Sequence, residues 1–223
     1  MRIVFDASSL ISVSQTCLVR ILPALKEAVN AEFVIGPVVF NEIVSRPLNI
    51  KRFQLNAVRL DTLVKQGHLT VQELDSEATA FSQKMGELAN NLFFIKNKPI
   101  RIMQQGELEA LALVKQLNAE AIVVDERTAR TLVEKPSALN SLMGRKYRKN
   151  IKENMENSRE LKKMFFDCAV LRSVELIALA FEKNALAGQI ENNKRALEAA
   201  LYAAKFSGCA VSFAEIQNFL RGV

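Results

Sequence analysis

The sequence predicts an α/β fold in which helices cover both faces of a parallel sheet. Two short apolar runs, residues 3–5 and 121–124, each end on an aspartate, Asp6 and Asp125. Continuous aliphatic runs of this length are typical of parallel strands that are buried on both faces. Predicted helices alternate with predicted strands along the first part of the chain, which favours a parallel sheet. Hydrophobic residues make up 49% of the 223 residues, enough for a sizeable core.

Each predicted element has a local reason in the sequence. Short aliphatic or alternating runs predict strands at residues 3–5, 33–35, 68–71, 121–124 and 165–171. Apolar spacing at i, i+3 and i+4 predicts helices at residues 18–29, 38–45, 50–65, 76–95, 107–117, 127–133 and 173–182. Ser8 or Ser9 is expected to cap a helix after the first strand. Gly36-Pro37, Gly67 and Pro136 separate the elements.

The second part of the chain begins with a basic insert at residues 137–164. We expect this segment to be helical or partly disordered, and four of its cations to contact a phosphate backbone. These are Arg145, Lys146, Arg148 and Lys149. A solvated charged helix is the alternative, because three glutamates dilute the charge. Residues 1–185 are predicted to form the α/β domain, and residues 186–223 a helical extension (191–206 and 211–220) packed on it.

Composition narrows the classes of function. The net charge of +6 is compatible with a polyanionic partner. Cys17, Cys168 and Cys209 have neither disulfide nor zinc spacing, so we expect buried thiols and a cytoplasmic protein. With His68 as the only histidine, hydrolysis would have to depend on carboxylates. No apolar run approaches 18 residues, and the first strand follows Met1 directly, so neither a membrane helix nor a signal peptide is expected.

Acidic residues are predicted at one edge of the sheet. Parallel strands bring their carboxyl ends to a common crevice, so Asp6 and Asp125 should lie close together. Two carboxylates about 4 Å apart repel by about 1–4 kcal/mol, which a cation between them would relieve. Further acids near predicted helix starts are Glu42, Glu107, Glu109 and Glu126. A cluster of carboxylates without histidine suits Mg²⁺ or Mn²⁺ better than zinc.

Structural interpretations of the same residues stay open at this point. Glu107 lies in the first turn of a helix, where an acid complements the helix dipole by about 0.3–1 kcal/mol. Glu109 is harder to explain in this way, because the residues that follow it are apolar. Glu126 is expected to be exposed to solvent or paired with Arg130 four residues on. Ser8 alone would more often be a helix cap than a ligand.

Four segments of the chain resemble, in order and spacing, the signature segments of PIN-domain nucleases. They are Val4-Phe5-Asp6-Ala7-Ser8, Val39-Phe40-Asn41-Glu42-Ile43, Gly106-Glu107-Leu108-Glu109-Ala110-Leu111-Ala112-Leu113 and Val123-Val124-Asp125-Glu126-Arg127-Thr128-Ala129-Arg130. The resemblance covers residues 1–135 and extends more loosely to residue 185. Within this family, the chain resembles the archaeal-type, free-standing, VapC-like members.

The resemblance implies a three-layer α/β/α sandwich whose acids bind Mg²⁺ or Mn²⁺ and cleave single-stranded RNA. Asp6, Glu42, Glu109 and Asp125 match the family's acidic positions, with Glu107 as the alternate of Glu109 after a shift of register. Ser8 matches the small hydroxyl residue beside the first acid. Asp6 and Asp125 are expected to hold the principal ion, Glu42 and Glu109 to bind it directly or through water, and Ser8 to orient a water.

The predicted function is a metal-dependent endoribonuclease that acts as a toxin or in RNA processing. Its expected partners are RNA, an antitoxin or other protein, and a second copy in a homodimer, without a membrane. A catalytically weak module that binds RNA or protein is the alternative from another class. A phosphatase is a third interpretation, but Asp6-Ala7-Ser8 lacks the second aspartate of the expected nucleophile motif.

Overall fold

The computed structural model describes residues 1–148 and 150–222 and confirms the α/β fold. The strands are β1 (Arg2–Phe5), β2 (Glu32–Ile35), β3 (Thr70–Val71), β4 (Phe93–Ile95), β5 (Lys98–Pro99), β6 (Ala121–Val123), β7 (Lys152–Glu153) and β8 (Ala169–Leu171). Five of them form a central parallel sheet in the order β3-β2-β1-β6-β8. The other three form a small antiparallel sheet in the order β5-β4-β7.

Helices cover both faces of the central sheet. They are α1 (Ala7–Gln15), α2 (Ile21–Ala28), α3 (Pro37–Phe40), α4 (Gln54–Lys65), α5 (Ser76–Asn90), α6 (Gln105–Leu117), α7 (Arg127–Glu134), α8 (Leu139–Tyr147), α9 (Met155–Met164), α10 (Ser173–Glu182), α11 (Lys194–Phe206) and α12 (Phe213–Arg221). Helix α3 continues as a π-helical turn, Asn41–Ser45, and short 3₁₀ turns occupy Pro47–Asn49 and Pro136–Ala138.

Alternating side chains of the strands divide the interior into two cores, as the pleat of a strand requires. Ile3 and Phe5 of β1 pack with α1, α2, α4, α10, α11 and α12 on one face. Val4 of the same strand packs with α5, α6, α7, α8 and α9 on the other face. The architecture is therefore three-layered, with helices on both sides of the sheet.

Several predicted elements differ from those in the structure: α4 begins at Gln54 and β3 at Thr70, later than predicted, and two other differences are larger. The helix predicted to reach residue 95 ends at Asn90, and Phe93–Ile95 pairs instead with β5 and β7. Phe93 is 1% exposed, so tertiary packing overrides the helical spacing there. The strand predicted over residues 165–171 is restricted to Ala169–Leu171, where it pairs with β6.

The basic insert forms helices α8 and α9, which are joined through β7. The two final helices belong to the first core, in which Leu197, Leu201 and Ile216 are fully buried. Among residues 1–148 and 150–222, no helix combines the length and the apolar character that crossing a bilayer requires.

The sheet order brings the predicted acids to one edge. Strands β1 and β6 are parallel neighbours in which Phe5 is paired with Val123. Asp6 follows Phe5 directly, and its amide donates to the Val123 carbonyl at 3.0 Å. Asp125 lies two residues beyond Val123. Both aspartates therefore emerge at the same carboxyl edge, where ligand sites of open α/β sheets form.

Candidate active site

Ser8 links the two aspartates that follow β1 and β6. Its hydroxyl donates to Asp6 Oδ2 at 2.6 Å and accepts a hydrogen bond from the Asp125 amide at 3.0 Å. The Ser8 amide also donates to Asp6 Oδ2, at 3.0 Å. Asp6 is therefore the N-cap of α1, which corrects the expectation that Ser8 or Ser9 caps this helix. Burial raises the pKa of Asp6, the bonds from Ser8 oppose this, and the charge of Asp125 adds to it.

The Asp125 carboxylate is bound to the first residue of α10. Oδ1 accepts from the Ser173 amide at 2.7 Å, and Oδ2 accepts from the Ser173 hydroxyl at 2.8 Å. The side chain is 1% exposed. A carboxylate at a helix N-terminus is stabilised by the free amides and the dipole there. Asp125 therefore connects β6 to α10, and its amide holds the Ser8 hydroxyl beside Asp6.

Glu42 lies in the π-helical turn that follows α3. Its carboxylate lies against Gly106, where an added Cβ would be 3.1 Å from Glu42 Oε2. The glycine thus allows this carboxylate to approach the first turn of α6. Partial burial raises the pKa of Glu42, the charge of Asp6 raises it further, and Arg46 lowers it. The charge of Asp6 therefore acts on Glu42 at this edge of the sheet.

Glu107 is the acid of α6 that is affected by the charges of Asp6, Glu42 and Glu126. Its Oε2 accepts from the Gln104 amide at 2.7 Å in a capping box, and the residue is 8% exposed. Burial raises the pKa of Glu107 to about 8, against the opposing bond from Gln104, and the charges of Asp6, Glu126 and Glu42 add to the rise. The charged form of Glu107 is therefore disfavoured first by burial and then by its acidic neighbours.

The Glu109 carboxylate, by contrast, lies at the N-terminus of α3. It accepts from the Val38 amide at 3.0 and 3.1 Å and from the Val39 amide at 3.2 Å. The residue is 6% exposed, and burial raises its pKa while these amides lower it. Its contacts show a helix cap that fixes α3, and with it the turn that carries Glu42.

The role of Glu109 can be tested at Gly36. An alanine Cβ at this position would lie 2.0 Å from Glu109 Oε2, so the carboxylate would have to leave the Val38 and Val39 amides. We expect Gly36→Ala to lower the free energy of unfolding by about 1–3 kcal/mol, the usual cost of an overpacked interior. Urea denaturation followed by circular dichroism measures this change.

Gly144→Ala is the matched control, because among the described residues its added Cβ would meet nothing within 4 Å apart from its chain neighbours and its own helix backbone, and the residue is in the interior of α8. It should stabilise the protein by about 0.5–1 kcal/mol. In Gly36→Ala/Glu109→Ala the shortened side chain makes room for the new methyl group. The two changes should therefore cost less together than the sum of their separate costs. Strict additivity would contradict the steric explanation.

Glu126 is the N-cap of α7 and stands beside a cation from the basic insert. Its carboxylate accepts from the Thr128 and Ala129 amides and from the Thr128 hydroxyl. Lys146 Nζ lies 4.0 Å from Glu126 Oε1 and donates to Thr128 Oγ1 at 3.4 Å. The expected pair with Arg130 is wrong, because Arg130 Nε lies 3.4 Å from Glu134 instead.

The four predicted phosphate-binding cations have different positions. Lys146 lies beside the Glu126 carboxylate, as described above. Arg145 and Arg148 are exposed at the end of α8, and Arg148 closes this helix in a left-handed conformation with φ 50°. Lys149 lies outside the described residues. Of the described cations, Lys146 is therefore the one with a contact to the candidate site.

The carboxylates form what we call the acidic cluster: Asp6, Glu42, Glu107 and Glu126. Within the described ranges, no group of three or more His, Cys, Asp or Glu side chains is placed so that it could hold a metal ion. The donor chemistry nevertheless fits Mg²⁺ or Mn²⁺, because every member offers carboxylate oxygens, which these hard cations prefer as ligands. Mg²⁺ usually binds one or two carboxylates directly and keeps several waters, so it does not require a cage of three side chains.

Ser173 is a residue of this edge that the sequence interpretation did not assign to the site. Its amide and hydroxyl bind the two oxygens of Asp125, whereas the amide and hydroxyl of Ser8 both bind Asp6 Oδ2. A small hydroxyl residue at the start of a helix, directly after a strand of the same sheet, was the available signal. It is a weak one, because such residues are common at helix N-termini.

Comparison with known families identifies the fold. A family described as "DUF3368: PIN domain" matches residues 2–137, more than half of the chain. No curated protein and no solved structure gives a significant match. The matched range includes all four members of the acidic cluster and ends at the start of the basic insert. The chain therefore belongs to the PIN-domain family.

Proposed function

We propose that this protein is a metal-dependent endoribonuclease. Membership of the PIN-domain family gives it a nuclease-like fold. The finer assignment depends chiefly on one observation: the Glu42 carboxylate lies against Gly106 in the first turn of α6, which also carries the buried Glu107. Burial raises the pKa of Glu107 to about 8, and the charges of Asp6, Glu126 and Glu42 add to the rise. A module that only bound RNA would gain nothing from four carboxylates beside a polyanion. A divalent cation makes such a cluster favourable for phosphate.

The contacts suggest a role for each acid. Asp6 and Glu107 would hold the ion directly, because both are buried and face the cluster, while Glu42 and Glu126 would bind it through water. Asp125 and Glu109 are positioning residues in this scheme, since their oxygens are bound to Ser173 and to the α3 amides. When bound, Mg²⁺ or Mn²⁺ would supply charge neutralisation and a water of lowered pKa for attack on phosphorus.

The chain's own residues prepare the site before any substrate arrives. Ser8 fixes the rotamer of Asp6 through two hydrogen bonds to the same oxygen. Lys146, beside Glu126, would place an RNA phosphate at the edge of the cluster. Such a contact positions the backbone without reading its sequence. The toxin or processing role, the antitoxin and the homodimer remain predictions.

Removal of the metal is the direct test of this function. We expect purified protein to cleave single-stranded RNA with Mn²⁺ or Mg²⁺ and to lose all cleavage in EDTA, with recovery when excess Mn²⁺ is restored. Gel electrophoresis of end-labelled single-stranded and hairpin RNA measures the products. Cleavage that persists in EDTA would contradict the carboxylate–metal scheme. RNA that is bound but never cleaved with either metal would favour the alternative of a binding module.

A further inference from the structure

An apolar groove opens beside the acidic cluster, on the face formed by α1 and α4. It encloses about 450 Å³, within the range of ligand pockets. Its apolar wall includes Ile11 of α1, Ile43 of the π-helical turn, and Ile50 and Phe53 before α4. Ile50 and Phe53 are 47% and 38% exposed, so this wall of the groove is accessible to a ligand.

The groove is continuous with the acidic cluster, because Glu42 lines both. Arg46, the next polar residue of the lining, is close enough to Glu42 to affect its ionisation. The π-helical turn Asn41–Ser45 carries Glu42, and turns of this kind are frequent at functional sites. A ligand that lies on the cluster can therefore extend into the groove.

Apart from Glu42, the charged residues of the groove lining and of the segment 43–60 are cations. Residues 43–60 contain Arg46, Lys51, Arg52 and Arg59 and no aspartate or glutamate. Arg46, Lys51 and Arg52 are exposed, and the Arg52 guanidinium carbon lies 5.5 Å from the centre of the Phe53 ring. A second copy of this face would bring like charges together. The charge of this surface therefore favours an anionic partner with an apolar part.

We propose that this groove holds a nucleobase of the RNA strand, next to the phosphate on the acidic cluster, with backbone phosphates on Lys51 and Arg52. This inference rests on the proposed ribonuclease function and adds a subsite to it. A phosphate alone gains nothing from an apolar wall, whereas a base has two flat faces that stack on an aromatic ring such as Phe53. Lys146 on the other side of the cluster would contact the strand beyond the scissile phosphate.

Binding measured in EDTA tests the groove separately from cleavage. Fluorescence anisotropy compares a labelled short oligouridine with an abasic ribose-phosphate oligomer of the same length. The wild type should bind oligouridine about tenfold more tightly, a difference of about 1.4 kcal/mol. Phe53→Ala should bind oligouridine about tenfold more weakly than the wild type and lose this discrimination. Phe53→Tyr should keep it, because tyrosine keeps an aromatic ring.

Leu55→Ala is the matched control, since Leu55 is 63% exposed in the same segment and is not part of the groove lining. Its affinity for both oligomers should equal that of the wild type. Lys51→Gln/Arg52→Gln should lower the affinity for both oligomers by the same factor and make binding less sensitive to salt. Thermal unfolding of each variant checks that the fold is retained.

The outcomes separate the two proposals. If Phe53→Ala binds oligouridine as tightly as the wild type, the nucleobase subsite is wrong even if the protein cleaves RNA. If the wild type neither binds nor cleaves RNA when Mn²⁺ or Mg²⁺ is present, the ribonuclease proposal itself fails. If sedimentation shows a dimer that Phe53→Ala dissociates while RNA affinity is unchanged, the groove is an interface between copies and the inference is overturned.

Discussion

Asp6→Asn is expected to abolish metal-dependent cleavage without loss of stability. Asparagine has the shape of aspartate and still offers an oxygen to the Ser8 amide and hydroxyl. It cannot offer the negative charge that would bind the ion. The rate of RNA cleavage should fall by about 10²-fold or more, because the lost electrostatic stabilisation amounts to several kcal/mol.

The stability of this variant should be unchanged or higher. Burial raises the pKa of Asp6, which means that the folded protein disfavours its charged form. Removing the charge removes that cost, so the Tm in EDTA should equal or exceed that of the wild type. Sites that trade stability for activity behave in this way.

Asp75→Asn provides the matched control for Asp6→Asn. Asp75 is also an N-cap aspartate, and it accepts from the Ala78 amide at 2.8 Å at the start of α5. Asparagine caps helices about as well as aspartate, so both cleavage and Tm should stay at the wild-type level. Full activity in Asp6→Asn would rule out the proposed role of the acidic cluster.

Glu107→Gln is expected to have the second-largest effect. It should change both the rate of RNA cleavage and the pH dependence of stability. Cleavage should fall by about 10²-fold, because Glu107 is a proposed ligand. Glutamine retains the oxygen that accepts from the Gln104 amide, so the capping box of α6 is retained. This result would support Glu107, and not Glu109 two residues further along the helix, as the acid of α6 that binds the ion.

The second measurement is the pH dependence of stability in EDTA. The pKa of Glu107 is raised from 4.5 to about 8, so the folded protein binds more protons than the unfolded chain between these values. The free energy of unfolding therefore falls as pH rises through this window. The destabilisation caused by the charged form of Glu107 is absent below about pH 4.5 and fully present above about pH 8. Glu107→Gln should show a shallower decline and a higher Tm than the wild type at pH 8.

Glu77→Gln serves as the control for this prediction. Glu77 lies in the first turn of α5 with 84% of its side chain exposed. Its replacement should leave both the cleavage rate and the slope of stability against pH unchanged. A wild-type Tm that does not fall between pH 5 and pH 8 would contradict the placement of Glu107 among like charges.

Much of this architecture was predictable from local patterns. Buried strands such as β1 and β6 read as continuous aliphatic runs, because both of their faces are covered. The small antiparallel sheet was not predictable, since β4 has only three residues and its partners β5 and β7 are two-residue strands. The order of the sheet is likewise a property of the folded chain, because the paired residues of β1 and β6 are 118 positions apart in sequence.

The candidate site was also predictable from the sequence only in part. Sequence by itself determined that Asp6 and Asp125 follow buried strands, which places them at one edge in any parallel sheet that pairs those strands. Only the tertiary structure decided which acid of α6 faces the cluster. Two residues on a helix differ by about 200° in direction, so Glu107 and Glu109 point to different neighbours. The free amides of Val38 and Val39 bind Glu109, and they come from a distant turn that no local pattern reveals.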